Sequence, residues 1–158
     1  MIQSRMKVEI AKLESPDTAS FRRLLVVFAE VFGMVDFQPP SDTHLERLLR
    51  DETFFTFAAS VSDAIVGGIT CYVLSPYYST SPCVYIFDLA VLPHFQRLGF
   101  GNRLVQAAIE HSRRLGAEEI FVQADDIDEH ALAFYRAIGG ISEKVTHFTY
   151  PITKPDHL

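Results

Sequence analysis

Apolar positions recur along this chain in two periods, and the order in which those periods alternate predicts its elements. Residues 7–13 alternate, with Val8 and Ile10 on one face, and read as a first strand. Ser15-Pro16-Asp17 then supplies a helix start, with Ser15 able to cap and Pro16 suited to the first turn. Phe21, Leu24, Leu25, Phe28 and Phe32 follow at helical spacing on one face, and Gly33 is a fitting stop. Pro39-Pro40 breaks the chain before a short helix capped by Ser41, with Leu45, Leu48 and Leu49 inward. Residues 54–61 and 64–74 predict a hairpin that turns at Ser62-Asp63. A loop over 75–82 carries Tyr77 and Tyr78, and 83–91 is a continuous apolar strand interrupted by a single acid, Asp88. A long helix over 101–115 ends at Gly116, a short buried strand covers 118–123, and a helix over 130–138 closes at Gly139-Gly140. Residues 142–150 alternate as a last strand before a polar tail.

Hairpins come first and crossover helices later, which predicts an α/β domain with a mixed sheet. The 158 residues contain no linker, repeat or low-complexity tract, so one domain over 1–158 is expected. A net charge of −6 disfavours nucleic acid, which needs a basic face, and suits a cationic small molecule. Cys71 and Cys83 form no CxxC pair and no disulfide framework, which fits a reducing compartment and packing roles. The first seven residues lack the apolar core of a signal peptide. No apolar run approaches the roughly 20 residues of a membrane span. The chain reads as cytoplasmic, with no membrane partner.

Between the apolar strand and the long helix lies Gln96-x-x-Gly99-x-Gly101. Glycines let the backbone approach a ligand and take positive φ, and a helix start adds unpaired N–H donors with partial positive charge. The segment reads as a phosphate cradle or as a tight strand–helix turn. It is not a P-loop, whose G-x-x-x-x-G-K-[ST] spacing is absent, nor a dinucleotide fingerprint, because Leu104 stands where the third glycine belongs.

A second constellation is Asp128-x-x-Ala131-x-x-Phe134-Tyr135-x-x-x-Gly139. Ala131, Phe134, Tyr135 and Ile138 share one helix face, so Tyr135 is either a core tyrosine with its hydroxyl at the rim or a site residue. Asp88, alone in an apolar strand, is expensive to bury unpaired, which points to a purpose or to a salt bridge or cap. Asp125, Asp126, Asp128 and Glu129 precede the last helix; helix-dipole complementation accounts for at least one of them. The run lacks the spacing and glycine of an EF-hand and has no histidine beside it, so a metal site is the poorer reading.

These two motifs, in this order and topology, resemble the GNAT superfamily of N-acyltransferases. That family carries [QR]-x-x-G-x-[GA] after a strand and N-x-x-A-x-x-[FL]-Y-x-x-x-G-F on a later helix. The resemblance runs from about residue 7 to residue 150. Val84-Tyr85-Ile86-Phe87-Asp88-Leu89-Ala90-Val91, Val122-Gln123-Ala124-Asp125-Asp126, His147-Phe148, Phe32-Gly33 and Tyr72-Val73-Leu74 further resemble the aminoglycoside 3-N-acetyltransferases. Two positions depart from the pattern. Asp128 stands for the usual Asn, so it must accept a hydrogen bond or cap the helix, and Gly140 replaces an apolar residue.

The resemblance implies a GNAT-type acyl-CoA N-acyltransferase fold, with a mixed, mostly antiparallel sheet flanked by helices and splayed at the cofactor strand through a bulge. It implies acetyl-CoA as the cofactor. The backbone amides of Leu98, Gly99, Phe100, Gly101 and Asn102 would hold its pyrophosphate, with Gln96 in the motif and Arg97 and Arg103 adding charge. Leu89, Ala90 and Val91 would pair with the pantetheine arm, and Ala131 and Phe134 would line the cofactor. The Val91 N–H would meet the thioester oxygen as it gains charge. Tyr135 would be the general acid, and Asp88 would bind the acceptor ammonium or take its proton. Asp125 and Asp126 would form a patch for a polycation; Tyr72, Glu30 and Asp36 are further acceptor-pocket candidates, and His147 is an alternative base.

The sequence therefore predicts an acetyl-CoA-dependent N-acetyltransferase that modifies a polycationic amine, the 3-amino group of an aminoglycoside first among them, a resistance activity. Attack is expected to be direct, since no cysteine or serine stands beside an evident base. The rival acceptors are a polyamine, a small metabolite or a protein N-terminus. A non-catalytic acyl-CoA-binding module is the rival from another class. Members of the family often form homodimers, although nothing in the sequence marks an interface.

Overall fold

The hairpin periodicity becomes the centre of a five-stranded sheet. The computed structural model describes residues 7–152; most of the N-terminal stretch expected to lack a signal-peptide core and the end of the tail lie outside the described residues. The elements are β1 (Val8–Lys12), α1 (Thr18–Val31), α2 (Asp42–Arg50), β2 (Phe54–Val61), β3 (Ala64–Leu74), β4 (Cys83–Val91), a 3₁₀ turn (Pro93–Phe95), α3 (Phe100–Arg114), β5 (Glu119–Val122) and α4 (Glu129–Ala137). Two compact units divide between Gln123 and Ala124.

In the first unit the strands run in the order β1-β2-β3-β4-β5, all neighbours antiparallel except the parallel pair β4 and β5. This is the mixed sheet the element order predicts, mostly antiparallel as the resemblance implies. β2 and β3 join through Ser62 and Asp63, both with positive φ (48° and 67°). A turn of that hand matches the twist of the two strands.

Both faces of the sheet are covered. On one, Phe21, Leu24 and Phe28 of α1 and Leu45 of α2 pack with Leu13, Phe54, Ala58 and Ala90. Gly68 of β3 lets α1 come this close, since a Cβ there would lie 2.8 Å from the Phe57 carbonyl oxygen and run into Leu24. On the other face the rings of Phe55 and Phe57 meet His111 of α3, at centroid distances of 4.5 and 5.9 Å. Phe54 points one way and Phe55 the other, as strand alternation requires. Cys71, Val84, Ile86, Leu104 and Ala108 are likewise buried.

Local differences from the sequence reading have local causes. Asp17, not Ser15, caps α1: its carboxylate accepts from the Ser20 N–H at 3.0 Å. Pro16 and Asp17 are used up in a tight turn, with Asp17 N–H donating to the Glu14 carbonyl, so the helix starts later. The Ser15 hydroxyl accepts instead from Arg50 at 3.1 Å. Phe32 lies past the end of the α1 stripe and is 42% exposed. β5 is not a buried strand: it is the sheet's outer strand, and Glu119 is exposed.

In the second unit Asp128 caps α4 by accepting from the Ala131 N–H at 2.9 Å, the acceptor role its substitution for Asn demands. The helix closes with Gly139 N–H to the Arg136 carbonyl and Gly140 N–H to the Tyr135 carbonyl. That pair of bonds is a Schellman end. It explains Gly140, where a Cβ would stand 2.9 Å from the Tyr135 oxygen. The last strand expected over 142–150 does not form; these residues are exposed and in no ladder. Alternation defines the faces a strand would have but supplies no partner for its backbone.

Candidate active site

β4 is paired on both sides only along its first half. β5 runs beside it over Cys83 to Ile86, and no ladder continues on that side from Phe87 to Val91. The β3 side stays paired to the end of the strand, where the Leu92 N–H donates to the Val66 carbonyl at 2.8 Å. Backbone groups alternate in direction along a strand. Leu92 and Ala90 therefore turn theirs toward β3, while Leu89 and Val91 turn theirs to the opened edge. Of the three residues expected to pair with a pantetheine arm, Leu89 and Val91 present backbone groups there, and Ala90 does not. The Val91 carbonyl accepts from the Gln96 side-chain amide at 2.9 Å, which ties the glycine segment to this edge.

A bulge decides what faces the acceptor. Cys71 pairs with Ile86, but Thr70 pairs with Asp88, which leaves Phe87 as the extra residue. Plain alternation from Tyr85 would put Asp88 on the buried Ile86 face. The bulge turns it to the face of Thr70, Tyr72 and Ala90 instead. Its N–H donates to the Thr70 hydroxyl at 3.2 Å, and its half-buried carboxylate makes no ion pair among the described residues. Burial pushes that carboxyl above the usual carboxylate range.

Tyr72, across the ladder, is half-buried and its phenol is raised, by burial first and then by the charges of Asp88 and Asp51. Asp51 is a residue the sequence reading missed. Its carboxylate accepts from both the N–H and the hydroxyl of Thr53, at 2.8 and 2.7 Å, and those bonds hold its pKa below the usual value. Asp-x-Thr announces such a turn in the sequence, but only the pairing of Phe54 with Tyr72 shows which tyrosine it adjoins. Tyr72 thus stands between one carboxylate biased toward protonation and one held ionised.

The cradle segment has the backbone its glycines suggest. Arg97 and Gly99 take positive φ, 60° and 85°, and Gly99 is the cap of α3. The first intrahelical bond runs from the Arg103 N–H to the Gly99 carbonyl at 3.0 Å. The amides of Phe100, Gly101 and Asn102 precede that ladder and point off the helix start, where an anion is favoured. Leu98 is 51% exposed beside them. Arg97 is exposed, and Arg103 donates to the Val8 carbonyl at 3.3 Å.

The other expected residues lie on α1, on the turn after it or in the second unit. Glu30 and Asp36 are exposed, on the last turn of α1 and the turn after it, without an ion pair among the described residues. Tyr135, Phe134 and Ala131 share the half-buried face of α4, with the Phe134 and Tyr135 rings edge to face at 5.0 Å. Asp125 and Asp126 are exposed; the Asp125 carbonyl accepts from the Asp128 N–H at 2.9 Å. His147 is exposed in the segment without ladder. Burial pushes the Cys71 thiol far up, out of reach of thiolate chemistry.

A mixed sheet splayed beside a glycine-opened helix start defines an acyl-CoA N-acyltransferase fold. The chain belongs to the acetyltransferase (GNAT) family, whose model matches residues 20–139. That family uses acetyl-CoA. An aminoglycoside acetyltransferase, meta-AAC0020, from an uncultured soil metagenomic sample, solved in complex with sisomicin, is 41% identical and superposes with a TM-score of 0.89, covering 92% of this chain and 97% of that one. N-alpha-acetyltransferase 30 of Schizosaccharomyces pombe is 28% identical over 85 residues, 54% of this chain and 56% of that protein. An uncharacterized N-acetyltransferase of Bacillus subtilis, YvbK, is 33% identical over 110 residues, 69% of this chain and 65% of that protein. The residues present fit the family's cofactor: the amides at the head of α3 suit its pyrophosphate, and the open edge at Leu89 and Val91 suits its amide-bearing arm.

Proposed function

We propose that the chain is an acetyl-CoA-dependent N-acetyltransferase acting on a polycationic amine, and that this amine is the 3-amino group of an aminoglycoside. The observation that carries the reading is the Asp88 carboxylate, without an ion-pair partner among the described residues, one strand step from the open edge at Leu89 and Val91. Support for an aminoglycoside acceptor comes from the 41% identical acetyltransferase solved with sisomicin. Antibiotic resistance would be the biological consequence.

Acetyl-CoA supplies the acetyl thioester. The amides of Leu98, Gly99, Phe100, Gly101 and Asn102 hold the pyrophosphate, and Leu89 and Val91 align the arm. The Val91 N–H hydrogen-bonds the carbonyl oxygen as negative charge grows on it, an interaction stronger in the transition state than before it. Asp88 binds the acceptor's ammonium and takes its proton, directly or through water; its raised pKa makes it the stronger base. Tyr135, carried over from the helix motif, gives a proton to the departing thiolate. Transfer is direct, because Cys71 is buried and its thiol raised.

The 28% identical N-alpha-acetyltransferase favours a second reading, a protein N-terminus as acceptor. Thiol release from acetyl-CoA across aminoglycosides, open-chain polyamines and short peptides separates the readings. Aminoglycosides are expected to give the highest kcat/KM. Preference for a peptide would replace the acceptor, and acetyl-CoA binding without thiol release on any amine would leave a binding module.

A further inference from the structure

The bulge that turns Asp88 to the Thr70 face also leaves a ring in the open. Phe87 is 56% exposed, and it is not a stray apolar residue. Its ring meets Tyr72 at 5.5 Å and Tyr85 at 5.8 Å, both edge to face. Tyr85 in turn stacks on Phe121 at 5.0 Å, and Tyr72 leans on Phe54 at 5.3 Å. Phe54 is buried in the core, so the aromatic row is anchored at one end. The Tyr85 hydroxyl donates to the Gln123 side-chain oxygen at 3.2 Å, which fixes the ring beside Phe87. A pre-set aromatic surface therefore runs along the sheet face that carries Asp88, and Asp51 lies at its Tyr72 end.

We propose that Phe87, with Tyr72 and Tyr85, is the platform on which the ring of a cyclic amine acceptor packs, so that ring-borne amines are selected over open-chain ones. The proposal rests on the acetyltransferase reading and names the feature of the acceptor that this site selects. Saturated amino-sugar and aminocyclitol rings present C–H groups on their faces and ammonium groups at their rims. The faces suit aromatic rings, and a cation beside a ring face is attracted to it. The rim ammoniums meet the two carboxylates beside Tyr72, Asp88 and Asp51. A rigid ring also loses less conformational freedom on this surface than a flexible polyamine of equal charge. The occupant is thus a cationic ring rather than an apolar protein segment, which would bring no positive charge to either carboxylate.

The test compares wild type with Phe87→Ala and Phe87→Tyr, using kanamycin as the cyclic acceptor and spermine as the open-chain one. Phe87→Ala is expected to raise KM for kanamycin about tenfold while spermine kinetics and acetyl-CoA affinity move less than twofold. Phe87→Tyr, which keeps a ring, is expected to recover most of the loss. The chain has no Trp, so tyrosine fluorescence reports binding without turnover, and kanamycin is expected to perturb it in wild type but not in Phe87→Ala. Kanamycin turnover and binding that survive Phe87→Ala overturn the platform and leave the activity standing. A fluorescence response that Phe87→Ala abolishes, in a protein that transfers acetyl to no amine, keeps the platform and overturns the activity. Equal loss for both acceptors, or loss of a dimer with unchanged kinetics, overturns the selection of rings.

Discussion

Gly67→Ala tests whether the splayed end of β4 is a positioned catalytic element. A Cβ on Gly67 would stand 2.7 Å from the Ala90 carbonyl oxygen, 3.0 Å from Val91 Cγ2 and 3.2 Å from Val91 Cα. Two of these are backbone atoms, so the strand itself must retreat by about 0.7 Å to reach ordinary contact. Overpacking of this kind costs about 1–3 kcal/mol, or a fall of roughly 2–4 °C in Tm per kcal/mol for a domain of this size. The catalytic cost should be larger, because a misplacement near 1 Å costs about a hundredfold in rate. For a shift somewhat smaller than that a loss of about tenfold or more in kcat is expected. Gly68→Ala is the control: its overlaps are with the Phe57 carbonyl and Leu24, on the α1 side and away from Val91. Both variants are assayed for thiol release with saturating substrates, at a temperature where circular dichroism shows each folded. A Gly67→Ala enzyme within twofold of wild-type kcat, or a Gly68→Ala enzyme equally slow, refutes the reasoning.

The remaining expectations concern the acid, the base and the cradle. Tyr135→Phe should lower kcat by about 10²–10⁴ while acetyl-CoA affinity by calorimetry is unchanged; equal turnover removes Tyr135 from the chemistry. Asp88→Asn should abolish efficient acceptor use and raise thermal stability at neutral pH. The sign follows from burial, which raises the folded carboxyl: the native state binds more protons than the unfolded chain as pH climbs from the ordinary value to the raised one, and stability falls across that window. The Tm gap should therefore close as pH drops below the ordinary carboxylate range, and a less stable Asp88→Asn at pH 7 contradicts it. Gly99→Ala forces an L side chain to φ 85°, at about 1–2 kcal/mol. It should weaken acetyl-CoA binding about tenfold with the acceptor KM unmoved; an unchanged Kd removes the cradle's dependence on that turn.

Much of the fold was legible because periodicity reports which face of an element is buried. The Phe21, Leu24 and Phe28 stripe and the Ser62-Asp63 turn were readable for that reason, and Gly33, Gly116 and Gly139 all take the positive φ of helix ends. What escaped depends on partners far away in sequence. Ser15 and Asp17 are both good caps, and the choice fell to a turn begun at Glu14. Alternation over 142–150 says nothing about whether another strand lies alongside. At the site, motif spacing marked the cradle, and a lone acid in an apolar strand marked Asp88. Counting from Tyr85, however, would have buried Asp88, and one extra residue in the ladder reverses its face. Asp51 and Phe87 went unnoticed because each gains its meaning only through the register that brings it to Tyr72.

The central claim, that an amine held at Asp88 is acetylated beside the open edge of β4, is tested most directly by the product. Wild-type protein is incubated with acetyl-CoA and sisomicin, thiol release is followed, and the modified position is read by NMR. Stoichiometric thiol release and a single acetyl group on the 3-amino nitrogen are expected, with both lost in Asp88→Asn. Undiminished product from Asp88→Asn, or no acetylated aminoglycoside from the wild type, would contradict it.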